Sequence, residues 1–161
     1  MSVCAIARCD VPLGTLQFRV SGDPLYRFGY GLSYNSFHYG GLKLQTTPVK
    51  AGEPVTVEAQ VKNTGATAGD EVAELYLTQP KGFETPLRLL VGFTRIHLGP
   101  GESSPVHLTI APRSLGQVDA QGNRIILPGV YTVSLGGSQP GNDAQVLTGT
   151  FTITGQSDLP K

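Results

Sequence analysis

The sequence predicts an all-β fold, an antiparallel sandwich of about seven strands preceded by an irregular arm rich in aromatic residues. Composition is the first indication, because 21 glycines and 12 prolines in 161 residues, with only 15% charged residues, are typical of turn-rich β architecture. The second is an alternation of apolar and polar residues from Leu42 onward, interrupted by turn signals. The third is that no stretch of the sequence keeps the apolar spacing of a helix.

The clearest strand covers residues 55–61, where apolar side chains at every second position alternate with polar ones. Asn63-Thr64-Gly65 is typical of a turn and ends this strand. The next strand is VAELYL, residues 72–77, which is apolar on both faces apart from Glu74. Because a charge within an apolar strand is best tolerated where water reaches it, we assign Glu74 to an edge or outward position.

The remaining strands follow in the second half of the chain. After a loop rich in proline and glycine, residues 87–98 predict one strand, or two strands split at Gly92. Residues 113–124 form a polar excursion, and residues 155–161 are polar and expected to fray. The other predicted strands are residues 106–110, 130–135 and 149–153.

About seven strands with these turns predict an immunoglobulin/fibronectin type III-like antiparallel β-sandwich. The segment Leu127-Pro128-Gly129-Val130-Tyr131 supports it, because a tyrosine two residues into a strand, after a Pro-Gly turn, fits a tyrosine corner. In that arrangement the Tyr131 hydroxyl bonds to the backbone upstream and fixes the crossover between the sheets. An ordinary strand tyrosine is the alternative.

The arm is the segment PLYRFGYGLSYNSFHY, residues 24–39, in a chain that is only 7% aromatic. Its aromatic residues follow no single strand or helix period, since Gly29 and Gly31 interrupt the alternation. We expect the arm to bury them, either by docking on a neighbouring domain or by stacking on sugar rings, although the chain has no tryptophan. The candidate binding residues are Tyr26, Phe28, Tyr30, Tyr34, Phe37 and Tyr39.

The sequence pattern divides the chain into four segments. They are an N-terminal tail at residues 1–18, the aromatic linker or docking arm at 19–40, the sandwich at 41–154 and a C-terminal tail at 155–161. Cys4 and Cys9 in the first tail are either two free thiols or a local disulfide. The apolar stretch there is too short for a secretory signal, so the periplasm, the exterior and the cytoplasm all stay open as compartments.

No catalytic, metal or cofactor site is predicted. His38, His97 and His107 lack the spacing of metal ligands and are assigned to surface or packing roles. There is no G-x-S-x-G motif, and glycoside hydrolysis needs two carboxylates facing each other across a pocket, which a small filled sandwich does not offer. A net charge of 0 argues against a nucleic-acid partner, and no apolar run is long enough for a membrane span.

Four segments of the sequence resemble a known family, in the same order. PLYRFGYGLSYNSFHY is similar to the PLYPFGYGLSYTxFxY segment of glycoside hydrolase family 3, which includes β-glucosidases and β-xylosidases. VTVEAQVKNTGATAGDEVAELYL, LRLLVGFTRIHLGPGES and ILPGVYTVSLGGS resemble later segments of that family's C-terminal fibronectin type III-like domain. The resemblance covers residues 24–153, and Arg27 stands where family members usually have proline.

The resemblance implies a non-catalytic accessory domain that stabilises and positions a family 3 glycosidase. The family's nucleophilic aspartate and acid/base carboxylate lie in regions that match nothing here, so the resemblance implies no catalytic residue and no cofactor in this chain. It implies the catalytic domains of such an enzyme as partners. The aromatic side chains of the arm themselves make polysaccharide a further candidate ligand, and because an arm without its partner either folds back on the sandwich or exposes an apolar patch, we expect self-association through it. The alternatives are a free-standing carbohydrate- or polymer-binding module and a fragment with weak hydrolase activity of its own.

Overall fold

The computed structural model describes residues 31, 35–44, 48–82, 86–141 and 145–160, so the N-terminal tail and most of the arm lie outside the described residues. Nearly all of the regular structure is strand, which confirms the predicted all-β fold. The elements in chain order are β1 (Phe37–Leu44), β2 (Val49–Lys50), β3 (Val55–Asn63), β4 (Gly69–Thr78), β5 (Leu89–Leu98), β6 (Ser103–Ile110), α1 (Pro112–Leu115), β7 (Gln117–Val118), β8 (Arg124–Ile126), β9 (Gly129–Gly136), β10 (Val146–Thr154) and β11 (Ser157–Leu159).

The strands form two main sheets that share one hydrophobic core, together with a small third sheet. The main sheets have the orders β1-β3-β6 and β2-β10-β9-β4-β5, and the small sheet has the order β11-β8-β7. The strand pairs are antiparallel except β2 with β10, which is parallel. The predicted β-sandwich is therefore confirmed, with one short parallel pair added at an edge.

Strand β3 shows how the alternation of the sequence builds the core. Its residues Val55 and Val61 are fully buried, while the polar residues between them point away from the core. On the facing sheet, Leu75 and Leu77 of β4 are also fully buried. Each such side chain contributes roughly 1.5–3 kcal/mol by leaving water, so the alternation accounts for both the register and the stability of this layer.

Strand β5 runs without a break from Leu89 to Leu98, which decides between the two predicted readings in favour of one strand. Gly92 marks an irregularity in the pairing of β5 with β4 and not the end of a strand. Leu75 pairs with Gly92 and Tyr76 pairs with Leu90, so Val91 is an extra residue in β5. A bulge of this kind keeps the strand continuous while it turns the side chains that follow.

The region after β6 is more ordered than its polar sequence suggested. Residues 113–124 contain most of α1 and the strand β7, and the helix ends on the fully buried Leu115. The expectation that residues 155–161 fray is wrong for 157–159, because β11 pairs with β8 and Leu159 packs against the core. No helix among the described residues is long and apolar enough to cross a membrane.

Candidate functional site

The structure places two of the six predicted binding residues. Phe37 and Tyr39 belong to β1 and pair with Asn63 and Val61 of β3, so the regular strand begins inside the segment that the sequence assigned to the arm. Tyr39 is only 5% exposed, and Phe37 packs against the core. The other four, Tyr26, Phe28, Tyr30 and Tyr34, lie outside the described residues.

Just before β1, the end of the arm is bound to the turn between β3 and β4. The Thr64 backbone N–H and hydroxyl both donate to the Ser36 carbonyl, at 2.7 and 2.9 Å. The Asn35 amide nitrogen donates to the Ala68 carbonyl at 3.1 Å, and the Thr67 hydroxyl donates to the Asn35 side-chain oxygen. We call Asn35–Ser36 with the turn at residues 64–69 the arm root.

Two glycines in the arm root are explained by the Asn35 side chain. A Cβ on Gly69 would fall on the Asn35 amide. A Cβ on Gly65 would lie 3.0 Å from the Asn35 Oδ1 and 3.2 Å from the Asn63 Oδ1, which is tighter than ordinary contact. The glycines leave the space that the asparagine fills, so the sequence of the turn is matched to the end of the arm.

Asn63 fixes the conformation of the same turn from inside. Its side chain is fully buried, and its Nδ2 donates to the carbonyls of Thr67 at 2.8 Å and Leu98 at 3.0 Å. Its Oδ1 accepts from the Gly65 N–H at 2.8 Å. Because all of these groups would otherwise be short of partners away from water, the asparagine of the Asn-Thr-Gly sequence is a structural requirement of the arm root.

A second contact ties β1 to the opposite sheet. The Tyr39 hydroxyl donates to the Oε1 of Glu71 on β4 at 2.6 Å. Burial raises the pKa of the Glu71 carboxyl and the hydrogen bond from Tyr39 opposes that rise, while burial and the neighbouring carboxylate raise the pKa of Tyr39. The pair joins the strand that follows the arm to the five-stranded sheet.

Glu74 holds a similar pair on the other face of β4. The strand lies between β9 and β5, so the predicted edge position is wrong. The alternative of an outward position is correct, because Glu74 alternates with the core residues Ala73 and Leu75, although its side chain is only 7% exposed. Its Oε2 accepts from the Tyr76 hydroxyl at 2.7 Å, and burial raises the pKa of that tyrosine. Because Glu71 and Glu74 are three residues apart in a strand, they point to opposite faces and do not face each other across a pocket.

The predicted tyrosine corner is present. The Tyr131 hydroxyl donates to the Leu127 carbonyl at 2.8 Å, four residues upstream, and its ring stacks on Phe151 with centroids 5.5 Å apart. Both rings are almost completely buried. The corner holds the chain where it enters β9.

The histidines lie on the surface of the strands. His97 Nδ1 is 2.7 Å from the Asp70 Oδ1, and the same carboxylate is bound by Arg95, which lowers its pKa. His107 is 3.3 Å from Glu58, and His38 is exposed at the start of β1. Among the described residues, no three histidine, cysteine, aspartate or glutamate side chains are placed to hold a metal ion.

Comparison with known proteins identifies the domain. Residues 71–139 match the family described as the fibronectin type III-like domain. The chain contains a fibronectin type III-like domain. Its sandwich is similar to part of β-glucosidase 3B from Thermotoga neapolitana, with a TM-score of 0.76 and 34% identity over 86% of this chain and 19% of that chain.

Relatives found by sequence are likewise named as β-xylosidases and β-glucosidases. A β-xylosidase of Formosa agariphila is 36% identical over 137 residues, which is 84% of this chain and 19% of the relative. A probable β-glucosidase I of Aspergillus niger is 42% identical over 107 residues, 63% of this chain and 13% of the relative. The resemblance to β-glucosidases and β-xylosidases is thus confirmed, and the fibronectin type III-like chain spans less than a fifth of these relatives.

Proposed function

We propose that this chain is a non-catalytic accessory domain of a β-glucosidase- or β-xylosidase-type glycoside hydrolase, which it stabilises and positions through the aromatic arm. The observation that carries the proposal is the arm root. Four hydrogen bonds bind Asn35 and Ser36 to the 64–69 turn, and Gly65 and Gly69 make room for them. A linking segment transmits position only if its end is held firmly on the domain, and these contacts hold Asn35 and Ser36 against the sandwich.

The chemistry of the described residues supports a structural role. The half-buried Glu71 and the buried Glu74 of β4 each accept a tyrosine hydroxyl, and the exposed Asp70 is held by Arg95 and His97. These are the hydrogen bonds of a stable sandwich. A glycosidase would need one carboxyl kept protonated and a second facing it across the sugar.

The alternative of a sugar-stacking platform is weakened by the position of Tyr39. Its ring is buried in the core and its hydroxyl is occupied by Glu71, so it is not available to a polysaccharide. The remaining candidates in the arm are tested by binding the full chain to xylan and cellulose. Saturable binding that is lost on replacing Tyr30 or Tyr34 with alanine would favour the platform over the docking arm.

The accessory function is tested by transplantation into the Formosa agariphila β-xylosidase. The segment that aligns with this chain is replaced by residues 19–160, and in a second variant it is deleted. We expect the transplanted enzyme to stay soluble and to keep most of its xylosidase turnover, while the deletion loses both. A transplanted enzyme that behaves like the deletion would contradict the proposal, as would turnover of aryl glycosides by the 161-residue chain alone.

Self-association through the arm stays a prediction. Light scattering of the full chain, compared with a variant that begins at residue 35, measures it directly. A larger mass for the full chain alone supports the arm as the contact, and equal masses contradict it.

A further inference from the structure

A groove of about 520 Å³ lies between the first residues of β5 and the unit formed by α1, β7 and β8. This volume is within the range of small-molecule sites, which is roughly 300–1,000 Å³. Much of its wall is apolar, from Leu89, Leu90 and Val91 on one side and Val118 on the other. Leu90 and Val118 are 41% and 47% exposed, so apolar surface is left open along the groove.

Two guanidinium groups stand against this apolar wall. Arg113 and Arg124 both line the groove, and none of its described lining residues is acidic. The ion pairs of the described residues use Asp70 and Glu58, which lie on other strands. The described part of the chain thus places two positive charges in the groove without a carboxylate partner for either.

Two acidic residues lie beside this unit, Asp119 in the connection between β7 and β8 and Asp158 on the neighbouring strand β11. The Asp119 carboxylate accepts from the backbone N–H groups of Gln121 and Asn123, at 2.9 and 2.8 Å, and from the Asn123 side chain. Asp158 pairs in register with Ile125, so its side chain lies on the face opposite that of Arg124.

Arg124 is held in place before any ligand arrives. Its side chain passes over Gly116, where a Cβ would lie 2.7 Å from the Arg124 Cγ and 3.2 Å from its Cδ. Its Nη1 donates to the Arg113 carbonyl at 3.2 Å. Gly116 therefore leaves room for the aliphatic part of the Arg124 side chain. One hydrogen bond orients the planar guanidinium, and its other N–H groups remain available to a ligand.

The wall that carries the arginines is itself anchored to the two residues that follow β4. The Gln79 Nε2 lies within 3.1–3.3 Å of the carbonyls of Ser114, Leu115 and Gly116. From the opposite direction, the Gln117 Nε2 donates to the Pro80 carbonyl at 2.8 Å. These two amides hold the turn of α1 and β7 against the end of β4, so the groove is preformed.

We propose that this groove binds a small organic acid whose carboxylate is carried on a ring, either an aromatic acid or a uronic acid sugar. The carboxylate binds Arg124 and Arg113, because a guanidinium presents paired N–H donors that match the two oxygens of a carboxylate. The ring lies on Leu90 and Val118, where its face replaces water on apolar side chains. This site is separate from the arm root and does not depend on the proposed accessory function.

The test is a titration of the full ¹⁵N-labelled chain, followed by amide chemical shifts. The probes are 4-hydroxybenzoate and D-glucuronate, with 4-hydroxybenzyl alcohol and D-glucose as their uncharged counterparts. We expect saturable shifts at Leu90, Gly116 and Val118 with at least one acid, and binding at least about tenfold weaker for its uncharged counterpart. Binding of 4-hydroxybenzoate alone identifies aromatic acids as the class, and binding of glucuronate alone identifies uronic acids.

Arg124→Gln is the test variant and Arg95→Gln is its matched control, since Arg95 is an exposed arginine farther along β5, outside the groove. Arg124→Gln is expected to weaken the acid at least about tenfold and Arg95→Gln to leave it unchanged. Arg113→Gln, at an exposed side chain, replaces the first variant if that one does not fold. The proposal is overturned if neither acid gives saturable shifts, if the uncharged counterpart binds equally well, or if the two variants have equal effects.

Discussion

At the scale of single residues, Asn63 makes the sharpest prediction. Asn63→Ala leaves the carbonyls of Thr67 and Leu98 and the N–H of Gly65 without their partner in and beside the buried turn. We expect the free energy of unfolding to fall by about 2–4 kcal/mol, as measured by denaturant titration. Gln60→Ala, at an exposed position of the same strand, is the control and should change it by less than about 0.5 kcal/mol. Equal effects of the two substitutions would contradict the structural role of Asn63.

Glu71 gives a prediction about pH. Its pKa is raised in the folded state, so the folded chain binds more protons than the unfolded chain as pH rises above the ordinary value of 4.5. Stability from this group is therefore complete below that pH and is lost as pH rises through the folded pKa. The unfolding free energy of the wild type minus that of Glu71→Gln should therefore be more positive at pH 4 than at pH 7, as measured by denaturant titration at both pH values.

Tyr39→Phe extends the same measurement. Without the hydroxyl, the Glu71 carboxylate loses the hydrogen bond that opposes the rise of its pKa, so the loss of stability with rising pH should become steeper than in the wild type. Denaturant titrations of both proteins across this pH range measure the slope. A slope that is unchanged by Tyr39→Phe would show that the bond does not act on the Glu71 equilibrium.

At the scale of elements, the last strand is the feature that the sequence missed. Leu159→Ala removes a side chain that packs against the core and is expected to lower the free energy of unfolding by about 1 kcal/mol or more. Asp158→Ala, at the exposed neighbouring position, is its control. Denaturant titration measures both unfolding free energies. Equally small effects of the two substitutions would indicate that residues 157–159 contribute nothing to the fold and are frayed.

The elements that could be predicted from sequence share one property. β3 was predictable because its alternation runs over nine residues and is set by burial on one face only. β11 has three residues, Ser-Asp-Leu, which are too few to show a period, and it is ordered by pairing with β8, more than thirty residues earlier in the chain. The burial of Glu74 was not predictable for a similar reason, since it depends on strands that flank β4 in space and not in sequence.

At the scale of the whole molecule, the sites arise from contacts between distant segments. The arm root joins Asn35 to residues more than thirty positions away, and the groove joins β5 to Arg113 and Arg124. Sequence alone identified the aromatic arm, but only the fold shows that Tyr39 belongs to the core and that Asn35 and Ser36 carry the attachment. Glycines at 65 and 69 were the one local signal for that attachment.

The central claim is that the arm root couples the sandwich to a catalytic part, and it is tested by the unfolding temperature of that part in the transplanted β-xylosidase. Gly69→Ala fills the space of the Asn35 amide, whereas Gly40→Ala, in β1, places its Cβ no nearer than 3.9 Å to another atom and is the matched control. We predict that Gly69→Ala lowers the unfolding temperature of the catalytic part and Gly40→Ala does not. A catalytic part that unfolds at the same temperature with either substitution would contradict the account.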